Sequence, residues 1–459
     1  MLLVLLEANG QVARPDSFHE KYALKQVVVL SRHNIRSPLS GPESALGRIT
    51  PHEWFAWSSA PSELSLRGGV LETMMGQFFR KWLVSEGLMA ENEVPQEGVM
   101  RFYANSMQRT IATAQYFSSG MLPVANVDIE HHYSIGTMDP VFSPVITCDD
   151  ETFRATVLQE ITSRYGNGSM SGIGEALSKN YQLLAEVLDL QQSAACQQGD
   201  TCSFKTDDTQ IVLTTGKEPA LKGSLSLACK AVDALVLQYY EEPDDRKAAF
   251  GHELSRDDWQ TLSVIKDYYG DVLFTSPTLS VNLAHPLLKE LLSELQNGQR
   301  RFTFLCGHDS NLGSVLGALG CDEYTLPQSI EKTPIGAKLV IEKWTGSDGE
   351  EYVAMNMVYQ STDQLRQMPL LSLGNPPVAY SMELKGLSAN SDGLYRLTDF
   401  EKLLTERIEA NGTTPASVHK AKAYHSTSAS IYSLQGHRLD SEAQPLGIYI
   451  KEGQKRILK

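Results

Sequence analysis

The chain has 459 residues, 42% of them apolar and 21% charged, enough for two or three domains around a large core. Its formal net charge of -15 argues against a general nucleic-acid binder, although cations gathered locally can still hold an anion. No apolar run reaches the length of a transmembrane helix, so no integral membrane segment is expected.

The first residues, "MLLVLL", are apolar but short and lack a basic flank. They read either as the remnant of a signal peptide or as a disordered terminus. Residues 25–31, "KQVVVLS", form a continuous apolar strand of the kind buried on both faces. That strand delivers Arg32, His33 and Arg36 to one loop, which Pro38 pins. A helix follows over 65–87, with Gly87 just past its end. Residues 99–106 are strand-like, and 108–120 make a helix with Arg109 at its start. From 151 to 290 the pattern is helical with few strand signals, which reads as an insertion covering the loop edge of a sheet. Residues 301–320 repeat the strand, polar corner and helix, and 337–344 and 350–360 look like paired strands.

Strand–loop–helix units at the start and again after 300 define an α/β protein. The expected fold is a mixed central sheet flanked by helices, with a second, mainly helical cap domain inserted in the chain. Residues 20–150 and 291–410 make the core and 151–290 the cap. Residues 411–430 read as a Ser/Thr-rich linker, and 431–459 as a small β-forming tail.

Six cysteines are spread along the chain. Cys196 and Cys202 share the polar loop "ACQQGDTCS", where a short disulfide is expected, as suits an oxidising compartment. Cys306 and Cys321 bracket a helix of roughly eight residues, about 12 Å long, so they should stay unbridged. Cys148 and Cys229 read as free thiols. The pair His131-His132 lacks a Cys or carboxylate at ligand spacing and reads as a loop pair rather than a metal site.

A loop that leaves a buried strand for a helix N-terminus is a natural anion site. Arg32 and Arg36 add bidentate donors for phosphate oxygens. A neutral imidazole between them can attack phosphorus and form a phosphohistidine. That route needs a third cation and an acid that protonates the leaving alkoxide, then activates water. Arg109 supplies the cation; "CGHDSN" supplies His308 as a phosphate donor and Asp309 as the acid. Taken singly, these are a basic surface loop, a helix-capping Arg and a solvated His-Asp pair.

Together the three corners resemble the histidine acid phosphatase family, branch 2 of the histidine phosphatases. The matching pieces are Arg-His-x-x-Arg-x-Pro, the Arg-Thr-x-x-Thr-Ala helix start and a His-Asp near residue 300. Further stretches, "RGGVLE", "GTMDPVFSPVIT", "LFTSP" and "TPIGAK", look like the family's periplasmic sugar-phosphate members, from about Tyr22 to about Ala410. The resemblance implies His33 as nucleophile, Asp309 as proton donor, and Arg32, Arg36, Arg109 and His308 as phosphate ligands, with no metal or organic cofactor. It implies an acid phosphomonoesterase acting on small molecules such as glucose 1-phosphate. Inositol hexakisphosphate is the alternative substrate; a non-catalytic phosphosugar-binding surface protein is the alternative class, although a binder does not need Asp309.

Many phytases of the family have Gly and Thr where this chain has Asn34 and Leu39. A Leu at the pocket mouth favours a smaller, less charged substrate. Glu218, in "GKEP", resembles an acidic gate that repels multiply charged substrates. The tail, "IYSLQGHRL…LGIYIKEGQKRILK", resembles C-terminal sorting segments read by an outer-membrane secretion machinery; the plainer reading is a terminal hairpin. The expected location is periplasmic, secreted or on the cell surface of a Gram-negative bacterium.

Overall fold

The structure is a computed structural model that describes residues 14–41, 43–148 and 150–413, together with four short strands between 431 and 458. The terminal "MLLVLL" and the stretch 414–430 lie outside the described residues. Strand β1, Tyr22–Arg32, explains the unbroken apolar run at residues 27–30. Val27 and Val29 enter one core with Phe78, Phe79 and Phe117; Val28 and Leu30 enter another with Leu287, Leu312 and Leu316. A strand covered on both faces has no polar side to alternate with.

Strand β2 is Met100–Ala104, and a two-stranded hairpin pairs β3, Gln210–Val212, with β4, Ala220–Lys222. The later strands are β5, Phe302–Gly307; β6, Lys338–Gly346; β7, Glu351–Tyr359; β8, Val378–Ser381; and β9, Tyr395–Arg396. The main sheet has seven strands in the order β2-β5-β1-β6-β7-β8, with β9 beside β7. β2, β5 and β1 run parallel, while β6, β7 and β8 return antiparallel. The sheet is therefore mixed, and β1 sits where parallel pairing gives way to antiparallel. Helices Leu66–Ser85 and Gln108–Met121 cover one face; Pro277–Gln296, Asp309–Leu319 and Leu397–Thr413 cover the other.

Between 151 and 275 the regular elements are helices apart from the short hairpin, joined by loops such as 198–209 and 249–255. The longest helices there are Glu151–Tyr165, Ser224–Glu241 and Arg256–Phe274, around Leu235, Trp259 and Leu262. Cys196 and Cys202 are bonded to each other, and Cys148, Cys229, Cys306 and Cys321 are free, as expected. In the tail, β10 (Ile431–Ser433), β11 (Arg438–Leu439), β12 (Gly447–Lys451) and β13 (Gln454–Leu458) form a separate sheet in the order β11-β10-β12-β13.

One buried ion pair ties the sheet to its covering helix. Lys338 opens β6 and has no exposed surface; its Nζ lies 3.0 and 3.1 Å from the two carboxylate oxygens of Glu72. It also donates to the Gly336 carbonyl at 2.9 Å. Burial pushes the Glu72 carboxyl up, and Lys338 opposes that shift. Removing one partner leaves the other charge dry and uncompensated. Lys338→Met should therefore destabilise the protein by about 3–5 kcal/mol in urea unfolding, and adding Glu72→Gln should recover part of the loss. A single variant as stable as the parent would contradict this.

Candidate active site

Parallel pairing brings three strand ends to one place. The register sets Arg32 of β1 beside Gly307 of β5, and Ala104 of β2 beside Cys306. Residues just beyond these ends must converge: His33 after β1, Asn105 to Arg109 after β2, and His308 and Asp309 after β5. The carboxyl ends of parallel strands are where α/β sheets bind ligands. One expectation is corrected here. The chain beyond Arg36 does not lead into a helix N-terminus; it makes only a short turn, Ala45–Arg48, before the helix at Leu66. Pro38 and the bridge between Arg36 and Leu64 keep it extended. The helix N-termini at the site are those beginning at Gln108 and Asp309.

His33 is held through its backbone. Its N–H donates to the Gly307 carbonyl at 3.1 Å, and its own carbonyl accepts from the Gly336 N–H at 3.1 Å. Two glycines permit this packing. A Cβ on Gly68 would lie 2.4 Å from the Ile35 carbonyl oxygen, and one on Gly336, at φ +68°, would lie 2.5 Å from the Asn34 amide. The His33 ring is buried, with Nδ1 2.9 Å from the Asn34 carbonyl oxygen. A carbonyl can only accept, so Nδ1 carries the proton and Nε2 keeps its lone pair. Burial, then the charges of Arg109 and Arg36, hold the imidazolium pKa well below the ordinary histidine value. His33 is therefore neutral with a free basic nitrogen.

Asn34 turns away from the cavity. Its amide donates to Glu72 Oε1 at 2.7 Å, its Oδ1 accepts from the Ile35 N–H, and its N–H donates to Thr113 Oγ1. It braces the loop from beneath.

Three arginines surround the imidazole. Arg32 has no exposed surface; it donates to Glu331 Oε1 at 3.0 Å and to the Thr333 carbonyl at 2.6 Å. Its Nη2 lies 3.4 Å from Asp309 Oδ2. Arg36 pairs with Asp233 at 3.0 Å. Arg109 has no carboxylate within 4 Å among the described residues, and burial beside the Arg36 charge lowers it to about 10. In all three guanidinium groups the buried Nε–H has no partner among the described residues. Three cations with donors left over are suited to a dianion of several oxygens.

A buried mesh of charges supports them. Glu331 takes Arg32, Lys266, the Tyr240 hydroxyl and the Ile335 N–H; Lys266 also lies 3.7 Å from Asp233. Burial opposes ionisation of Glu331, yet Lys266 and Arg32 hold its carboxyl down to about 2. Asp233 and Tyr240 sit on Ser224–Glu241 and Lys266 on Arg256–Phe274, so the inserted helices complete the site.

Sequence reasoning missed these groups, and it also missed Asn105. The Asn105 Oδ1 accepts from the Asp139 N–H, which leaves its amide 2.7 Å from His308 Nε2. This shorter contact makes His308 Nε2 the acceptor and puts its proton on Nδ1; Arg109 Nη2, which can also only donate, lies 3.5 Å from Nδ1, a meeting of two donors rather than a hydrogen bond. The rings of His33 and His308 stand edge to face with centroids 5.5 Å apart. Burial, then Arg109, keeps His308 neutral.

Asp309 opens its helix and keeps 41% of its side chain exposed. Burial acts to raise its carboxyl, but Arg32 and Lys266 prevail and hold it ionised. Of these groups, His33, Arg36, Arg109, His308 and Asp309 line a cavity of about 610 Å³, together with Asp233 and Lys266. Leu39, 60% exposed, and Glu218 are on its wall. Burial, then the Asp309 charge, pushes Glu218 upward, so the two carboxylates sense each other. Lys230 is also on the wall, with no carboxylate within 4 Å among the described residues. His131 and His132 lie elsewhere. His132 finds Glu130 Oε1 at 2.7 Å and Asp139 Oδ2 at 3.4 Å, partners for a histidine in a loop.

A neutral imidazole ringed by buried arginines, at the carboxyl ends of parallel strands, defines a phosphate-handling α/β protein. The chain belongs to the histidine phosphatase superfamily (branch 2), whose model matches residues 23–358, and is a phosphomonoester hydrolase. It is 38% identical over 390 residues to the glucose-1-phosphatase of Salmonella typhimurium, covering 84% of this chain and 92% of that one. It is 36% identical over 392 residues to the glucose-1-phosphatase of Providencia rettgeri, with the same coverage. The solved Hafnia alvei phytase in complex with myo-inositol hexakis sulphate matches with a TM-score of 0.78 and 27% identity, over 85% of this chain and 98% of that one.

An ordinary histidine gains its proton as pH falls through about 6.5. Because His33 is depressed, its ring signal should not titrate between pH 7 and 5.5 in NMR of histidine-labelled protein. Arg109→Gln removes one of the charges responsible and should move the His33 titration toward higher pH. An unshifted titration in the variant would refute this electrostatic account.

Proposed function

We propose that this protein hydrolyses small sugar phosphates, glucose 1-phosphate among them, through a phosphohistidine on His33. The observation that carries the reading is the free Nε2 of a neutral His33 beside three unpartnered guanidinium Nε–H groups, with Asp309 across the cavity. Arg32, Arg36, Arg109 and the Nδ1–H of His308 hold the phosphoryl oxygens and spread their charge. The His33 Nε2 attacks phosphorus as the ester P–O bond breaks. Asp309 gives its proton to the departing alkoxide, then takes one from the water that attacks the P–N bond. Inorganic phosphate leaves, and the imidazole is restored.

Asp309 is ionised in the free site, and an acid needs its proton. A bound phosphoryl dianion places negative charge among the arginines and lifts the Asp309 pKa. Substrate binding thus converts the carboxylate to the acid it must be, and an acidic medium assists. His33 stays unprotonated there because its own pKa is depressed.

The glucose-1-phosphatase relatives support a sugar monophosphate, and so do Leu39 and Glu218 on the wall. Lys230 is the observation in favour of an inositol polyphosphate, since a second phosphate can reach an unpaired cation. Residues 151–275 act as the cap of the cavity, short of the expected boundary at 290 because the helix Pro277–Gln296 packs on the main sheet, and the residues after 414 act as an appendage. A Cys196–Cys202 disulfide and the separate tail sheet support a location outside the cytoplasm, with the tail read by a secretion machinery.

Rapid quench in alkali should trap phosphate on the parent protein and none on His33→Ala; label retained by the variant would place the nucleophile elsewhere. Asp309→Asn should slow alkyl phosphates far more than nitrophenyl phosphate, whose leaving group hardly needs a proton. Equal losses would remove Asp309 from proton transfer. Glu218→Gln should raise activity on inositol hexakisphosphate relative to glucose 1-phosphate by up to about tenfold, the equivalent of about 1.4 kcal/mol, most visibly at low salt. A ratio that does not move would exclude Glu218 from selectivity.

A further inference from the structure

Away from the catalytic cavity, two imidazoles and a carboxylate from separate parts of the chain meet at one point. His52 Nε2 lies 2.7 Å from Asp189 Oδ2, and His252 Nε2 lies 3.2 Å from the same oxygen. The three ligand atoms are all within 4.8 Å of one another, and each residue is half-buried. We propose that His52, Asp189 and His252 form a zinc site that clasps three segments of the inserted and core regions together.

Geometry supports this first. Zinc binds His nitrogen and carboxylate oxygen at about 2.0–2.1 Å, and a tetrahedral angle then sets neighbouring ligand atoms about 3.3 Å apart. The His252 contact is already near that spacing, and the His52 contact needs to open by only about half an ångström. Both histidines present Nε2, so a single ion can replace the two hydrogen bonds once each ring turns its lone pair from Oδ2 toward the ion.

The ligands are also held in place. Asp189 ends the helix Ser178–Val187 region in a left-handed conformation, φ 48°, and its carbonyl accepts from the Gln192 N–H at 2.8 Å. His52 stacks on Phe250 at 5.0 Å with rings 14° apart, and its N–H donates to Thr50 Oγ1. The His252 N–H donates to the Ala249 carbonyl at 3.0 Å. Preset ligands lose little freedom on binding.

Chemistry selects the ion. Two imidazole nitrogens disfavour magnesium and calcium, which require oxygen shells, and suit zinc. Three protein ligands leave the fourth position to water. Asp189 also borders a cavity of about 500 Å³ that none of His33, Arg109 or Asp309 lines. The site is therefore separate from phosphate chemistry, and an ion there stabilises the fold by tying three segments, whatever occupies its open position.

Full-length protein, freed of metal by a chelator and dialysed, is titrated with zinc chloride in a calorimeter at neutral pH. Saturable uptake of one equivalent is expected, with a rise in melting temperature and no heat from magnesium chloride. His52→Gln and Asp189→Asn should each weaken binding by at least about tenfold, since even partners of a ligand are worth that much. Asn tolerates the left-handed backbone of position 189, so Asp189→Asn keeps the fold, which its metal-free melting curve verifies. The control His131→Gln/His132→Gln should bind zinc like the parent. Absence of saturable binding, or binding retained in His52→Gln and Asp189→Asn, would overturn the proposal and leave the triad as a hydrogen-bonded staple.

Discussion

A guanidinium with no surface in water keeps its charge, and its burial is costly unless the protein supplies counter-ions; Arg32 imposes that condition on everything around it. Glu331 and Asp309 answer it directly. Glu331 in turn needs Lys266, Lys266 reaches Asp233, and Asp233 holds Arg36. Asp233 comes from the helix Ser224–Glu241 and Lys266 from Arg256–Phe274, so these two helices are part of the electrostatics around Arg32. Displacing either helix would leave buried charges unpaired.

The same field sets the state of each reacting group. It keeps His33 neutral, which a nucleophile requires, and Asp309 ionised, which suits the base more than the acid. The charge of a substrate resolves that asymmetry. An anion among the arginines relieves Asp309 of part of its stabilisation, so proton donation is tied to occupancy. The proposed mechanism thus draws its switch from the substrate rather than from a moving part.

Tautomers are fixed by neighbours as well. The Asn34 carbonyl selects Nδ1–H on His33, and the Asn105 amide selects Nδ1–H on His308. One ring thereby keeps a free Nε2 lone pair and the other presents an N–H, although both are neutral histidines in the same cavity. Asn105 is itself oriented by the Asp139 N–H. Neither arrangement needs a metal.

What the sequence determined by itself was whatever is local. The apolar run before Arg32 betrays a strand buried on both faces, and the residues following it need no folding to be read. The same holds for Arg109 after β2 and for His308 and Asp309 after β5, since each follows its own strand. Short-range cues also marked the Cys196–Cys202 loop. Tertiary structure decided the rest. Glu331, Lys266, Asp233 and Asn105 carry no signal along the chain, because a polar residue on a helix or in a loop looks the same whether it meets water or a buried arginine. Lys266 hid for the same reason: the charged positions of the helix Arg256–Phe274 read as solvated, yet Lys266 lines the cavity. That the strand after which His33 comes hands over to a turn, and that helices starting at Gln108 and Asp309 supply the N-termini instead, follows from the parallel pairing of β1, β2 and β5. Strand order is a property of contacts between residues hundreds apart, and only the folded chain contains them.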